Sequence, residues 1–173
     1  MKNVRTIVML IIISLTACSS PKDFNAKSYV QSSLDAEYHR EYTDYANLME
    51  ISEEDVKKQV EEDFNESIRQ QFASSDNITE EEIAAYTEKM AEVKKLAKYK
   101  VQDEKKDEDG NYTVSVKVEP SDVFQTLQQS IDKNSYGAPV TVTVKVEKNH
   151  SGTYELSETE RSKLETAMFP TTE

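Results

Sequence analysis

The hydrophobic positions of the chain follow a helical period in the first half and a strand period in the second half. From Asp23 to about residue 96, apolar residues recur every three or four positions, as they do in helices that bury one side. This spacing predicts three helices, the first of which breaks near His39 and Arg40 before it resumes. The second and third begin at Ser52 and Thr79, where a hydroxyl cap precedes an acidic first turn.

The alternation of apolar and polar residues in the second half predicts an antiparallel sheet. Residues 99–102 and 111–118 are typical of two strands, and the Asp109-Gly110 dipeptide between them is a strong hairpin signal. Pro120 ends the second of these strands. Further along, the pattern predicts a short helix at 122–133, strands at 140–146 and 153–156, and a closing helix at 157–169 that Ser157 caps.

The order of these elements favours the α+β class, because the helices precede the sheet instead of alternating with its strands. The predicted architecture is three N-terminal helices packed on an antiparallel sheet of three or four strands, with one inserted helix and one C-terminal helix. The chain shows no internal repeat and no low-complexity tract. One domain is therefore expected over residues 23–170, followed by a tail at 171–173.

A short positive segment and an apolar run open the chain. Lys2 and Arg5 precede residues 6–15, and this run of ten residues is about half the length needed to cross the hydrocarbon core of a membrane. It has instead the length of the apolar region of a signal peptide. Small residues follow it, and Cys18, the only cysteine of the chain, comes directly after them.

The sequence Leu15-Thr16-Ala17-Cys18 resembles the lipobox of bacterial lipoproteins. In that family the peptide before the cysteine is cut off and the cysteine thiol receives a diacylglycerol. The resemblance implies a signal peptide at 1–17, a lipidated Cys18 at the new N-terminus and a short tether at 18–22. The other interpretation is an ordinary secretory signal followed by a free thiol.

The composition of the chain excludes some kinds of binding partner and some kinds of site. Its 173 residues include 33 acidic and 21 basic side chains, which gives a net charge of −12, and the loss of residues 1–17 would make it −14. A general nucleic-acid binder is not expected, since phosphate binding needs a basic face. A single cysteine excludes an intramolecular disulfide and a multi-cysteine metal site, and we expect no bound metal or cofactor.

The first helix holds the one pair of residues suited to general acid–base catalysis. Asp35 lies one helical turn before His39, with Tyr42 nearby, and such a pair inside a cavity can act as a general base. The same spacing is also that of an ordinary solvated pair on a helix surface, which is the interpretation favoured here. His150, the only other histidine, lies in a predicted turn.

Tyrosines are the other notable feature of the first helix, and Tyr38, Tyr42 and Tyr45 are candidate ligand-binding residues. A tyrosine combines a large apolar ring with a polar tip, so it suits a binding surface as well as the edge of a core. Packing of the rings against the sheet is the alternative and is favoured.

Two short motifs suggest chemistry that their surroundings do not support. Asp107-x-Asp109-Gly110 resembles part of a calcium loop, but Lys105 and Val116 occupy the positions of acidic ligands, so a solvated hairpin tip is expected. Weak surface binding of calcium by the acidic cluster at 103–109 is the alternative. Ser130-x-x-Lys133 matches a pattern of penicillin-binding enzymes, but their companion motifs are absent from the sequence.

Four further segments carry a resemblance to a family, and they are Leu34…Tyr38…Tyr42…Tyr45, Ile51-Ser52-Glu53-Glu54, Val116-x-Val118-x-Pro120-Ser121-Asp122-Val123-Phe124 and Leu164…Phe169. With the lipobox, they resemble small lipoproteins of Gram-positive bacteria that carry an uncharacterised extracytoplasmic domain. The resemblance implies a curved antiparallel sheet packed by helices, similar to cystatin-like or nuclear-transport-factor-like cones. It implies no catalytic residues.

The expected function is that of a lipoprotein anchored in the bacterial cell membrane through a diacylglycerol on Cys18, with its domain on the extracytoplasmic side. Non-enzymatic binding of an envelope protein, a peptide or a small molecule is the leading hypothesis, because the motifs form no catalytic constellation. The alternative is an enzyme or a small-molecule carrier with its site in a cone cavity near Asp35, His39 and Tyr42.

Overall fold

The computed structural model describes residues 24–73, 78–126 and 131–171, and this part of the chain is α+β, as predicted. The helices are α1 (Ala26–Leu34), α2 (Thr43–Met49), α3 (Glu53–Phe72), α4 (Glu80–Lys94), α5 (Val123–Thr126) and α6 (Glu158–Met168). A π-helical turn (Asp35–His39) continues α1, and a 3-10 turn (Ile131–Lys133) follows α5. The strands are β1 (Tyr99–Lys106), β2 (Tyr112–Val118), β3 (Val140–Lys148) and β4 (Tyr154–Leu156), and they form one antiparallel sheet in that order.

Hydroxyl side chains begin three of the helices, as the sequence predicts. Ser52 accepts a hydrogen bond from the backbone N–H of Asp55 at 3.1 Å, and Ser157 caps α6 in the same way. Thr79 and Glu82 form a complete capping box, in which each side chain accepts from the other residue's backbone N–H. These bonds satisfy donors that the first turn of a helix leaves unpaired.

The helices cover one face of the sheet. In β2, residues 112, 114, 116 and 118 are buried, whereas Lys117 is exposed on the opposite face. The neighbouring strands are in register with this alternation, since Val116 pairs with Val101 of β1 and with Val142 of β3. The buried face packs against α1 and α6, which places the hydrophobic core between the sheet and these two helices.

The first predicted helix is two helices, α1 and α2, joined by the π-helical turn, so within the described residues four helices and not three precede the sheet. The break falls at Arg40, as predicted, and Arg40 has a left-handed φ of 63°. The backbone N–H groups of Arg40 and Glu41 both donate to the carbonyl oxygen of Asp35. These bonds to one carbonyl end the helix with a wide turn, and α2 then starts in a new direction.

The first strand is longer than its periodicity suggests. β1 extends to Lys106, because a register shift between Val101 and Glu104 interrupts the alternation without ending the strand. The inserted helix predicted at 122–133 comprises α5 and the 3-10 turn, and residues 127–130 between them lie outside the described residues.

Several predictions cannot be compared with the structure. The signal peptide, Cys18, the tether and Ser130 lie outside the described residues. Within residues 24–73, 78–126 and 131–171, none of the helices has the length and apolarity that a membrane span requires.

Candidate functional site

The π-helical turn brings Asp35 and His39 against Tyr99, the first residue of β1. The Tyr99 hydroxyl donates to Asp35 Oδ1 at 2.7 Å and lies 3.2 Å from His39 Nδ1. The His39 and Tyr99 rings are stacked, with centroids 5.1 Å apart and an interplanar angle of 12°. With Gln31, these three residues form a group that we call the Asp–His–Tyr cluster.

Gln31 connects this cluster to the edge of the sheet. Its Nε2 donates to the two carboxylate oxygens of Asp35 at 2.9 and 3.0 Å. Its Oε1 accepts from the backbone N–H of Val101 in β1 at 3.3 Å. Because β1 is an edge strand, its outward N–H groups need partners outside the sheet, and Gln31 supplies one.

The partners of His39 indicate which ring nitrogen carries the proton. Nε2 lies 2.9 Å from the carbonyl oxygen of Ala97, which can only accept, so we assign the proton to Nε2. In the neutral ring Nδ1 then carries a lone pair beside the Tyr99 hydroxyl, whose single proton it would share with Asp35 Oδ1, and Asp35 Oδ1 itself lies 3.8 Å from Nδ1. Burial and the hydrogen bond to Asp35 raise the pKa of Tyr99 well above its usual range, so this hydroxyl stays a donor.

This geometry favours a structural role over proton transfer. The His39 side chain is 32% exposed and that of Asp35 is 19% exposed, so solvent reaches the cluster. A general base needs a lone pair directed at its substrate, whereas the lone pair of His39 Nδ1 faces Tyr99. The cluster is therefore arranged to hold the π-helical turn against β1.

Tyr42 is not hydrogen-bonded to Asp35 or His39. Its side chain is buried, and its hydroxyl has no hydrogen-bond partner within the described residues. Tyr38 and Tyr45 are also buried, and burial raises the pKa of both hydroxyls. The three candidate tyrosines are thus core side chains, and a ligand could reach their rings only if the core opened.

A second cluster lies in the interior, and we call Glu37, Lys94 and Arg161 the buried ion cluster. Glu37 Oε1 lies 2.9 Å from Lys94 Nζ, and Oε2 lies 3.3 Å from Arg161 Nη1. The three side chains are between 4% and 9% exposed. Arg161 also donates to Ser33 Oγ at 3.2 Å, and Lys94 Nζ lies 4.8 Å from the centre of the Tyr38 ring.

The charges of this cluster affect the pKa values of two carboxyl groups, those of Glu37 and Glu165. Burial opposes ionisation of Glu37, but Lys94 and Arg161 outweigh it and hold the pKa of Glu37 below its usual value. Glu165, on the next turn of α6 from Arg161, is half-buried, and burial raises its pKa to about 7. Lys94 opposes this increase and Glu37 adds to it. Glu165 is therefore poised to exchange a proton near neutral pH.

None of the motifs in the sequence pointed to the buried ion cluster. A signal was present, because Glu37 falls three and seven residues after Leu34 and Val30, on the apolar side of α1. Lys94 similarly follows the buried Met90 by four residues, on the apolar side of α4. A charged residue on an apolar stripe indicates a buried partner, but the sequence does not say that the partner is Arg161.

Two open hollows lie on the helical side of the molecule. One, of about 510 Å³, lies between α1 and α2 and is lined by polar residues such as Lys27 and Asn47. It reaches Gln31 of the Asp–His–Tyr cluster. The other, of about 590 Å³, follows the outer side of α6. Within the part of the chain that the structure describes, no group of three or more His, Cys, Asp or Glu side chains could hold a metal ion.

Comparison with known proteins adds no relative to this description. No family model, curated protein or solved structure matches the chain. The α+β class thus stands on the structure alone, and the cystatin-like or nuclear-transport-factor-like cone stays a prediction.

Proposed function

We propose that the protein is a lipoprotein of the bacterial cell membrane, held by a diacylglycerol on Cys18 with its domain on the extracytoplasmic side. The observation that carries this proposal is the sequence Leu15-Thr16-Ala17-Cys18, which begins at the last residue of the apolar run at 6–15. One acyl chain binds a membrane only marginally, whereas two chains anchor a protein stably. A diacylglycerol supplies two chains at one residue.

The surroundings of Phe24 support a short distance between the lipid and the domain. Its ring stacks on Tyr154 with centroids 4.1 Å apart, and its carbonyl oxygen accepts from the Tyr112 hydroxyl at 3.2 Å. The chain is thus held from residue 24 onward, and residues 18–23 span at most ~20 Å when extended. The hairpin turns at Gly110 and Gly152 lie at this end of the sheet, which would be the end nearest the membrane.

We further propose that the domain binds a partner and does not catalyse a reaction. The arrangement of the Asp–His–Tyr cluster supports this, because His39 uses one nitrogen for Ala97 and directs the other at Tyr99. The hollow between α1 and α2 offers amide, hydroxyl, ammonium and carboxylate groups, which suit an envelope protein or an extended peptide. An enzyme at this site would first have to free His39 Nδ1 from Tyr99.

Acyl labelling of the full chain tests the anchor. Cells that express the chain are fed an alkyne-bearing fatty acid, and the protein is captured and its mass measured. We expect the label on a species that begins at Cys18, in the membrane fraction. An intact precursor, or a mature chain whose Cys18 reacts with maleimide, would contradict the proposal.

Two variants separate the position of the cysteine from its presence. Cys18→Ser removes the thiol and should abolish labelling and membrane retention. The double variant C18S/S20C restores a thiol two residues later, where it no longer follows Ala17, and it should stay unlabelled. Labelling of the double variant would show that acylation does not depend on the lipobox.

A further inference from the structure

The outer edge of β3 is only partly covered by β4. Within the described residues β4 pairs with Val146, Glu147 and Lys148 alone, so the part of β3 from Val140 to Thr143 has a strand on one side only. The backbone N–H of Lys145 points outward, because it donates to Glu160 Oε2 at 3.2 Å. Along a strand these directions alternate, so the N–H and C=O groups of Thr141 and Thr143 also point outward.

The path of α6 leaves this part of β3 open. The helix starts beside β3, where Glu160 meets Lys145. It ends just past the C-terminal end of β2, where the carbonyl oxygen of Met168 accepts from the N–H of Ser121 at 2.7 Å. It therefore crosses the buried face diagonally and moves away from the β3 edge. In agreement, Gly137, Ala138, Pro139, Val140 and Thr141 are all exposed.

The side chains of the open segment are neutral and suited to strand pairing. Val140 is 44% exposed, and no other large hydrophobic side chain within the described residues is exposed to this degree. Val142 is half-buried on the same face, and Thr141 and Thr143 are exposed on the other. β-branched residues are the commonest residues of strands, and an uncharged edge of this kind is a template for another chain.

The acidic side chains lie mainly on other elements. Together α3 and α4 carry twelve acidic and five basic residues. α3 packs mainly against α2, α4 and the π-helical turn. Between Gly137 and Val146 the only charged residue is Lys145. An acidic protein thus has a neutral strand edge at which two copies can approach with little electrostatic repulsion.

We propose that a second copy of this chain docks on the segment Val140–Thr143, so that two β3 strands pair antiparallel about a two-fold axis at Val142. In this register Thr141 lies opposite the partner's Thr143, and both exchange backbone hydrogen bonds. The ladder ends at the pairs of Val140 with the partner's Val144, because the outward N–H of Lys145 is already bonded to Glu160 Oε2, and no charged residue lies within it. Threonine pairs on one face and valine pairs on the other stabilise such a ladder.

The proposed strand register favours a second copy of the chain over an unrelated peptide as the partner of the β3 edge. An isologous contact needs a surface complementary to itself, and the Val-Thr-Val-Thr-Val repeat at 140–144 meets this condition. Chains held on one membrane are also confined to a surface, which raises their effective concentration. Pairing at β3 does not itself require the lipid.

Disulfide cross-linking in membranes tests the axis. Residue 142 would form a non-hydrogen-bonded pair with its own copy, with Cα atoms ~4.5 Å apart, which suits a disulfide. We expect Val142→Cys to give several-fold more disulfide-linked dimer on oxidation than the wild-type chain or Thr141→Cys. In the proposed register two Thr141 residues are separated by ~8–9 Å, which is too far for a disulfide.

Each outcome of the cross-linking experiment has one meaning. No dimer above wild type for V142C, or equal yields for V142C and T141C, would overturn the β3 pairing. Cross-linking of the wild-type chain itself would show a free Cys18, and that result would contradict lipidation and not the pairing. Capture of another protein by V142C, without its own dimer, would assign the edge to a different partner and overturn the proposal.

A charge pair tests the same register without thiols. T141E/T143K places a glutamate opposite the partner's lysine and should dimerise at least as well as wild type. T141E/T143E places like charges opposite each other and should be monomeric in light scattering of the full chain. Thr141 is exposed and paired with Lys117 of β2, so a glutamate at this position should not unfold either variant. Equal dimer fractions for the two variants, at equal melting temperatures, would overturn the proposed register.

Discussion

The carboxylate of Glu37 and the guanidinium of Arg161 meet at 3.3 Å in the interior, although 124 residues separate them in the sequence. With Lys94 they join the π-helical turn, the end of α4 and the start of α6. The loss of hydration offsets much of the attraction in a buried ion pair. We therefore infer that the buried ion cluster defines how these three elements fit together more than it adds to net stability.

Glu37→Gln should destabilise the fold strongly. The change leaves Lys94 and Arg161 without their shared counter-charge, and loss of one partner from a buried pair costs about 3–5 kcal/mol. Urea denaturation at pH 7 measures this cost. Lys95→Gln is the matched control, because it removes the exposed Lys95–Glu92 pair and should cost less than about 1 kcal/mol. Similar midpoints for the two variants would contradict the importance of the buried cluster.

Glu165→Gln should flatten the pH dependence of stability between pH 4.5 and about 7. Burial raises the pKa of Glu165 in the folded protein from 4.5 to about 7. The unfolded chain binds fewer protons in this window, so the free energy of unfolding falls as pH rises through it. Between pH 4 and pH 8, the free energy of unfolding of the variant should rise relative to that of the wild type by at most about 3 kcal/mol.

Two other acidic residues must be separated from Glu165 in this measurement. Burial raises the pKa of Asp63 to about 6, so Asp63 also makes the free energy of unfolding fall as pH rises. The variant D63N measures how much of the pH dependence comes from Asp63. Glu37 acts in the opposite direction, because its pKa is lowered and its contribution is lost as pH falls below 4.5. An E165Q profile parallel to wild type from pH 4.5 to 8 would show that Glu165 does not titrate as described.

His39→Ala should lower the melting temperature. The change removes the donor to the carbonyl oxygen of Ala97 and the ring that stacks on Tyr99. Leaving a half-buried acceptor unpaired costs roughly 1–3 kcal/mol. Tyr99→Phe, which keeps the ring and removes the donor to Asp35, should lower the melting temperature as well. If H39A abolished a cellular function at an unchanged melting temperature, the general-base interpretation would replace the structural one.

Thr79→Ala should destabilise the protein by about 1 kcal/mol, because it removes the hydroxyl that accepts from the backbone N–H of Glu82 in the capping box of α4. Thermal unfolding measures the difference. Thr87→Ala is the control in the same helix, since the Thr87 hydroxyl only donates to the carbonyl oxygen of Ile83, which the helix already uses. An equal loss in both variants would show that the box itself contributes little.

Local signals in the sequence predicted most of the elements. Helix caps and tight turns depend on interactions within a few residues, so they can be recognised in the sequence. Examples are the caps at Ser52, Thr79 and Ser157 and the turn at Gly110. The alternation in β2 and β3 likewise predicted strands, and the structure places the buried side chains of both strands on one face. The segment that ends at Cys18 and resembles a lipobox is known from the sequence alone, because the described residues do not include it.

Only the tertiary structure decided the partners of the polar side chains. Asp35 and His39 are neighbours on one helix, but their third partner is Tyr99 of β1 and not the nearby Tyr42. Similarly, Glu37 meets Arg161 because α6 crosses the sheet diagonally and passes α1. Periodicity shows that a position is buried, whereas the identity of its neighbour depends on how distant elements pack, which no local pattern contains.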